Sequence, residues 1–202
     1  MPVIPREVAE QAVRPFQDEF VTVVRNAWRD WKDGPFAPTM QCKRVRANVV
    51  WNQMLVHSKR IFDGREGITF EEKMKAYRGL LVGGSIFIRM KKADEKLLSR
   101  NYPTKSALAY VDQTQDMFDG VARLDMVYQL DKSETDIERI VLVQRHRKAV
   151  AWMIDLFGAD PFVQNVIPFA EPPAPESGGS VADRIVKPKH KSRDGKQDVS
   201  TG

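Results

Sequence analysis

The chain has 202 residues, 42% of them hydrophobic and 29% charged, with 32 basic and 27 acidic side chains giving a net charge of +5. That apolar share can bury a core, which excludes a wholly disordered chain, and no run approaches the roughly 18 apolar residues of a membrane-spanning helix. A single cysteine, Cys42, excludes an internal disulfide framework, and Arg6, Glu7, Glu10, Arg14, Asp18 and Glu19 interrupt the apolar core that a signal peptide needs. The expectation is a soluble, cytoplasmic α+β domain over residues 1–170, with no membrane association.

In chain order, Ala9, Ala12, Val13, Phe16, Phe20, Val23, Val24, Ala27, Trp28 and Trp31 form a stripe of period 3.6 and predict a helix. Pro15 belongs either in its first turn or at a kink of a longer helix. Asp33-Gly34-Pro35 stops it, and a second helix follows from Cys42 to Phe62, with Val50, Trp51, Met54, Leu55, Ile61 and Phe62 on its apolar side. Two helices joined by a short Pro/Gly loop suggest an αα-hairpin, so residues 6–62 are expected to be helical.

The period then changes to two, and residues 68–157 read as mainly β. Leu80–Val82 and Ser85–Lys91 form a hairpin around Gly83-Gly84, with Ile86, Ile88 and Met90 on one face and Phe87, Arg89 and Lys91 on the other. Ala93–Leu98 suggests a helical turn. Thr104 reads as the N-cap of a helix through Ala107, Leu108 and Val111, reaching at most Phe118 before Gly120. Three more strands follow, around Arg123–Leu130, Ile137–Arg145 and Ala149–Phe157, with turns at Asp131–Ser133 and Arg145–Lys148. The expected fold is an antiparallel sheet of about five strands packed by the N-terminal αα-hairpin. Residues 171–202 hold four of the twelve prolines and no aromatic residue, which predicts a disordered tail. Arg184, Lys187, Lys189, Lys191, Arg193 and Lys196 make that tail basic; it is either an electrostatic arm for nucleic acid or a solubilising segment.

Few residues point to chemistry. His57, His146 and His190 have no ligand spacing, so neither a metal nor a cofactor is expected, and no glycine-rich phosphate loop occurs. Glu71-Glu72-Lys73 and Asp94-Glu95-Lys96 match a nuclease-type E-x-K spacing that is common in charged sequences. Arg89, Lys91, Arg100 and Tyr102 are of the types a metal-independent ribonuclease uses, without evidence of placement. Gln113–Phe118 resembles a clamp-binding peptide poorly, and Met117 and Phe118 fit core packing better.

Charge distribution says more. Between Asp33 and Asp63 there is no acid, while Lys43, Arg44, Arg46, Lys59 and Arg60 contribute five positive charges. Three of them fall in the first turn of a helix, where the macrodipole prefers anions. Either an anionic partner such as phosphate or acids elsewhere, with Glu71, Glu72 or Asp94 as candidates, must offset that. Arg89, Lys91, Lys92, Lys96, Arg100 and Lys105 form a second basic group, which is either an anion site or a solvated sheet face. The candidate nucleic-acid or anion-binding set is Lys43, Arg44, Arg46, Arg89, Lys91, Lys92, Arg100 and Asn101.

Three runs carry a family resemblance: Lys43-Arg44-Val45-Arg46-Ala47-Asn48, Ile88-Arg89-Met90-Lys91-Lys92-Ala93-Asp94 and Ser99-Arg100-Asn101-Tyr102-Pro103-Thr104. With the later Tyr128-x-Leu130 and Trp152…Leu156, they resemble a poorly characterised bacterial family encoded beside regulators that join an XRE-type helix-turn-helix to an ImmA-like metallopeptidase domain. The resemblance spans Lys43 to Leu156. It implies the toxin component of a toxin–antitoxin or phage-defence pair, with the XRE–ImmA-type regulator as partner. This chain departs from the family at Met90, Val127 and Asp116-Met117-Phe118. The resemblance supplies no catalytic set. The other reading is a nucleic-acid-binding accessory protein that meets DNA or RNA through the basic helix and strand face.

Overall fold

In the computed structural model, residues 3–157 are described, apart from 36, 75–76, 100–101 and 103. The stripe from Ala9 folds as α1 (Arg6–Val13), a 3-10 turn (Arg14–Phe16) and α2 (Gln17–Lys32), because Pro15 removes an amide that a continuous helix would use. The second helix, α3 (Lys43–Ile61), follows a short connection and packs antiparallel-hairpin fashion on α2. All described residues lie in one compact unit. The expected tail, 171–202, lies outside the described residues.

Six strands follow, not five: β1 (Ile68–Met74), β2 (Tyr77–Val82), β3 (Ile86–Lys92), β4 (Ala122–Leu130), β5 (Ile137–His146) and β6 (Ala149–Asp155). They stand in the sheet in chain order. Gly83 and Gly84 adopt φ of 54° and 64°, the positive values the β2–β3 turn requires. One pairing departs from the antiparallel expectation: β3 and β4 run parallel, Arg89 beside Asp125 and Lys92 beside Tyr128. Parallel neighbours need a long crossover. Its helix, α4 (Lys105–Val111), is N-capped by Thr104 Oγ1, which accepts from the Ala107 amide at 3.1 Å. That helix is shorter than Phe118 would allow, because Asp112 leaves helical geometry and accepts from Thr114 instead. Ala93–Leu98 is a tight turn rather than a helical one, closed by an Ala93–Ser99 bridge with Leu97 at φ 59°.

Each face of the sheet has its own cover. Ile68, Leu80, Ile88, Met90, Leu124, Met126, Ile140 and Leu142 point to the helices and bury against Phe20, Val24, Ala27, Val50 and Met54. Each such side chain contributes about 1.5–3 kcal/mol on burial. On the other face, Phe87 meets Tyr110, Val111 and Phe118 from the crossover, while Val127, Val141 and Val143 pack under Ala93 and Leu97. The outer face is therefore covered over β3 and β4, and Arg89 lies beneath that cover rather than in solvent.

Candidate functional site

The predicted basic residues divide between the two faces. On the helix side, Lys43 and Arg46 at the start of α3 and Lys92 at the end of β3 converge on one carboxylate, Glu134. Its oxygens lie 2.9 Å from Lys43 Nζ, 2.6 Å from Arg46 Nη2 and 3.3 Å from Lys92 Nζ. Arg46 also donates to the Glu134 carbonyl at 3.3 Å. Glu134 stands in the β4–β5 turn, which Asp131 shapes by accepting from the Thr135 and Asp136 amides. Hydrogen bonds from Lys43 and Arg46, then Lys92, hold the Glu134 carboxyl down at about 2. Lys59, further along α3, pairs with Glu72 at 2.6 Å, one of the acids the sequence offered.

Glu134 answers the electrostatic problem of α3 only in part. The helix has no acid in its first turn and no side-chain cap at Cys42. Four cations (Lys43, Arg44, Arg46, Lys92) against one carboxylate leave an excess of three positive charges. The Lys43 side chain is 75% exposed, and Arg44 is exposed with no ion pair among the described residues. Arg46 is 16% exposed and also lies over the Trp28 ring at 5.9 Å. Lys43 and Arg44 are thus open to an outside anion, and Arg46 is a structural tie.

Glu134→Gln is expected to destabilise the fold by about 1 kcal/mol at neutral pH, with solvent screening holding the figure down. Because the folded carboxyl titrates below its usual 4.5, its contribution is whole above pH 4.5 and lost as pH falls toward 2. Melting temperatures across that range should fall more steeply in the parent than in the variant; parallel curves would show that Glu134 is not the anchor.

On the opposite face the charges are buried. Arg89, 4% exposed, donates from Nε and Nη2 to the two Asp125 oxygens at 2.9 and 3.0 Å. Its guanidinium lies 3.8 Å from the Tyr110 ring centre, and the Tyr110 hydroxyl donates to the Leu124 carbonyl. Burial pushes the Tyr110 hydroxyl well above its usual range, so it stays neutral. Arg123 donates to the carbonyls of Ala109, Asp112 and Gln115, and Arg145 to the Ser99 carbonyl and hydroxyl. Among the described residues Asp125 is the one buried carboxylate. Arg89 is spent on it and does not face an external phosphate.

Lys91 starts on Arg89's face but is half-buried and makes no hydrogen bond or ion pair among the described residues. Its Nζ lies 5.5 Å from the Trp51 ring centre. Burial, and then the Arg89 charge, hold its ammonium below the usual lysine range. Arg100 and Asn101 lie outside the described residues.

The remaining polar candidates serve the fold. Arg60 donates to His57 Nδ1 at 3.0 Å, which leaves Nε2 to donate to Asp30 at 2.6 Å and ties α3 to α2. Cys42 is exposed, and amides of Val45 and Arg44 lower its thiol. Phe118 is buried in the α4 cluster, in keeping with core packing of Gln113–Phe118. Among the described residues no three potential ligands gather as a metal site, and no helix is long and apolar enough to cross a membrane.

Sequence reasoning singled out neither Glu134 nor Asp125, nor the Trp51 ring as a neighbour of Lys91. Asp125 carried a usable signal, an acid in mid-strand between buried Leu124 and Met126; Glu134 is one polar turn residue among several. No family model matches the chain, and neither curated proteins nor solved structures include a match.

Proposed function

We propose that the protein is the toxin-like member of a bacterial toxin–antitoxin or phage-defence pair, acting in the cytoplasm and restrained by an XRE–ImmA-type regulator. The observation that supports this is the convergence of the runs that carry the resemblance. Arg46 of the first run and Lys92 of the second share Glu134, the Ala93–Ser99 bridge joins the second to the third, and Tyr128 is the register neighbour of Lys92. Segments far apart in sequence thus meet around the ends of β3 and β4 and the start of α3. Inducible expression alone should arrest bacterial growth, and co-expression of the neighbouring regulator should restore it. Unimpaired growth without the regulator overturns the reading.

The excess of three positive charges at the start of α3 favours a second reading, nucleic-acid binding, which is compatible with the first. Lys43 and Arg44 would neutralise phosphates and release counterions, so affinity should fall with salt. Lys43→Ala with Arg44→Ala should reduce the slope of log affinity against log salt by about 2, near 0.9 for each lost contact. Glu134→Gln should steepen the slope, since it frees Lys43 and Lys92. An unchanged slope in both variants, or no binding to DNA or RNA at low salt, removes this reading.

A further inference from the structure

Helix α3 is apolar on two sides. Val50, Met54 and Leu55 lie on the side buried against α2 and the sheet. On the opposite side Val45, Val49 and Val56 recur at spacings of four and seven, which puts them in one row, with Asn52 between them at the same spacing. Val45 is 38% exposed and Val56 52%, while Val49 is half-buried and Asn52 exposed. The outer side of a surface helix ordinarily carries polar residues, and valine is a mediocre helix former that such positions do not favour. The row runs about 16 Å, along a helix about 28 Å long. Charge narrows what can cover it. The helix itself holds five cations and no acid. Among the described residues three carboxylates reach it, Glu134 at Lys43 and Arg46, Glu72 at Lys59 and Asp30 at His57, so two positive charges are left over.

We propose that this outer face of α3 docks an acidic amphipathic helix of a partner protein. The valines receive its apolar row, since short β-branched side chains let two helix axes approach to about 8–10 Å. Arg44, Lys59 and Arg60, all exposed, stand beside the row and meet carboxylates on the partner's flanks. Charges at the edge govern encounter and partner choice, and the apolar centre governs the lifetime of the complex. Other occupants fit one feature and not the other. A nucleic acid meets the charge but leaves the valines in water. A second copy of the chain sets α3 against α3 and brings ten cations together. The basic stretch 184–196 of this chain, with six cations against one acid, adds to the excess. The face needs neither growth arrest nor phosphate contact, so it can fail while both readings of function stand, and stand while they fail.

The test is selection on the immobilised full chain from a displayed library of amphipathic helical peptides of about 20 residues, long enough to span α3, with the flanking positions randomised. Acidic flanks should be enriched. The recovered peptides are then titrated against the parent and against a chain carrying Val45→Ser with Val56→Ser. Serine and valine have similar helix propensity and both sites are exposed, so the melting temperature of that variant should hold. Its binding should weaken about tenfold, the share of two partly covered apolar side chains. Arg44→Gln with Lys59→Gln should slow association and flatten its salt dependence, while Arg60 stays on His57. Recovery of no peptide, enrichment of neutral or basic flanks, or equal affinity for the parent and the valine variant overturns the proposal. A short single-stranded RNA is titrated on the same chains. If its affinity falls with the valines as far as that of the peptides does, the face belongs to nucleic acid and the proposal is overturned. Concentration-dependent dimerisation of the parent that the valine variant loses overturns it as well, in favour of a second copy.

Discussion

Asp125→Ala should lower the unfolding free energy by about 3–5 kcal/mol, the cost of leaving one partner of a buried ion pair uncompensated. Arg89 would keep its 4% exposure and lose both carboxylate oxygens. What remains to it are the faces of Tyr110 and Tyr77, with the charge 3.8 and 5.7 Å from the ring centres. A desolvated cation–π contact is worth about 2 kcal/mol and cannot replace a bidentate carboxylate. The pair itself is weak evidence for stability, because desolvating two charges offsets most of their attraction. Arg89→Met with Asp125→Leu should accordingly recover most of the loss, and denaturant titration of the two single variants and the double gives the coupling directly. If Asp125→Ala falls within 1 kcal/mol of the parent, the pair is solvated in solution and the outer face is not the sealed layer described above.

Strand parity explains how one run of sequence serves two purposes. Lys91 and Lys92 are adjacent, so β3 points them to opposite faces. Lys92 reaches Glu134 on the helix side, whereas Lys91 leaves the strand on the Arg89 side and its ammonium comes over the Trp51 ring of α3.

The features written locally in the sequence were legible: the period-3.6 stripes of α2 and α3, the Gly83-Gly84 turn, the Thr104 cap and the alternation of Ile86–Lys91. Strand β1 was not, because its alternation runs through Glu71, Glu72 and Lys73 and is broken by an irregularity between Glu71 and Met74. The parallel step was not legible either. Hairpin-like spacing gives no sign that β4 joins β3 in parallel, and that register alone sets Arg89 beside Asp125. Arg89 consequently read as either an anion ligand or a solvated side chain of the outer face, when the deciding fact lay 36 residues away. The basic start of α3 was visible as a charge run, but Glu134 comes to it from a turn 88 residues on, a contact no local pattern encodes. The candidate site was thus half visible: its cations stood out by type, and their counterions were set by topology.

Arg123→Met should also destabilise the fold, less than the loss of Asp125 and for a different reason. Arg123, 2% exposed, makes no ion pair among the described residues; its fork holds the carbonyls of Ala109, Asp112 and Gln115 at 2.8, 2.9 and 2.6 Å. Two of those oxygens belong to the end of α4, and each also accepts from one backbone amide, Ala109 O from Asp112 N at 3.2 Å and Asp112 O from Gln115 N at 3.1 Å. Gln113 completes the arrangement by donating to the Arg123 and Arg145 carbonyls at 3.3 and 2.8 Å. The Ala109 and Asp112 carbonyls keep their backbone donors, so the Gln115 carbonyl is the acceptor left unmatched, at a cost of about 1–3 kcal/mol. Lysine cannot present a planar fork to three separate oxygens, so Arg123→Lys should recover little. The loss should also be local. Amide exchange should quicken across α4 and residues 112–121 before it quickens in α2 or β5, because the helix-side core does not touch Arg123. Uniform acceleration through the whole chain would mean instead that the crossover and the sheet unfold as one unit, and that the cover over Arg89 and Lys91 has no independent motion.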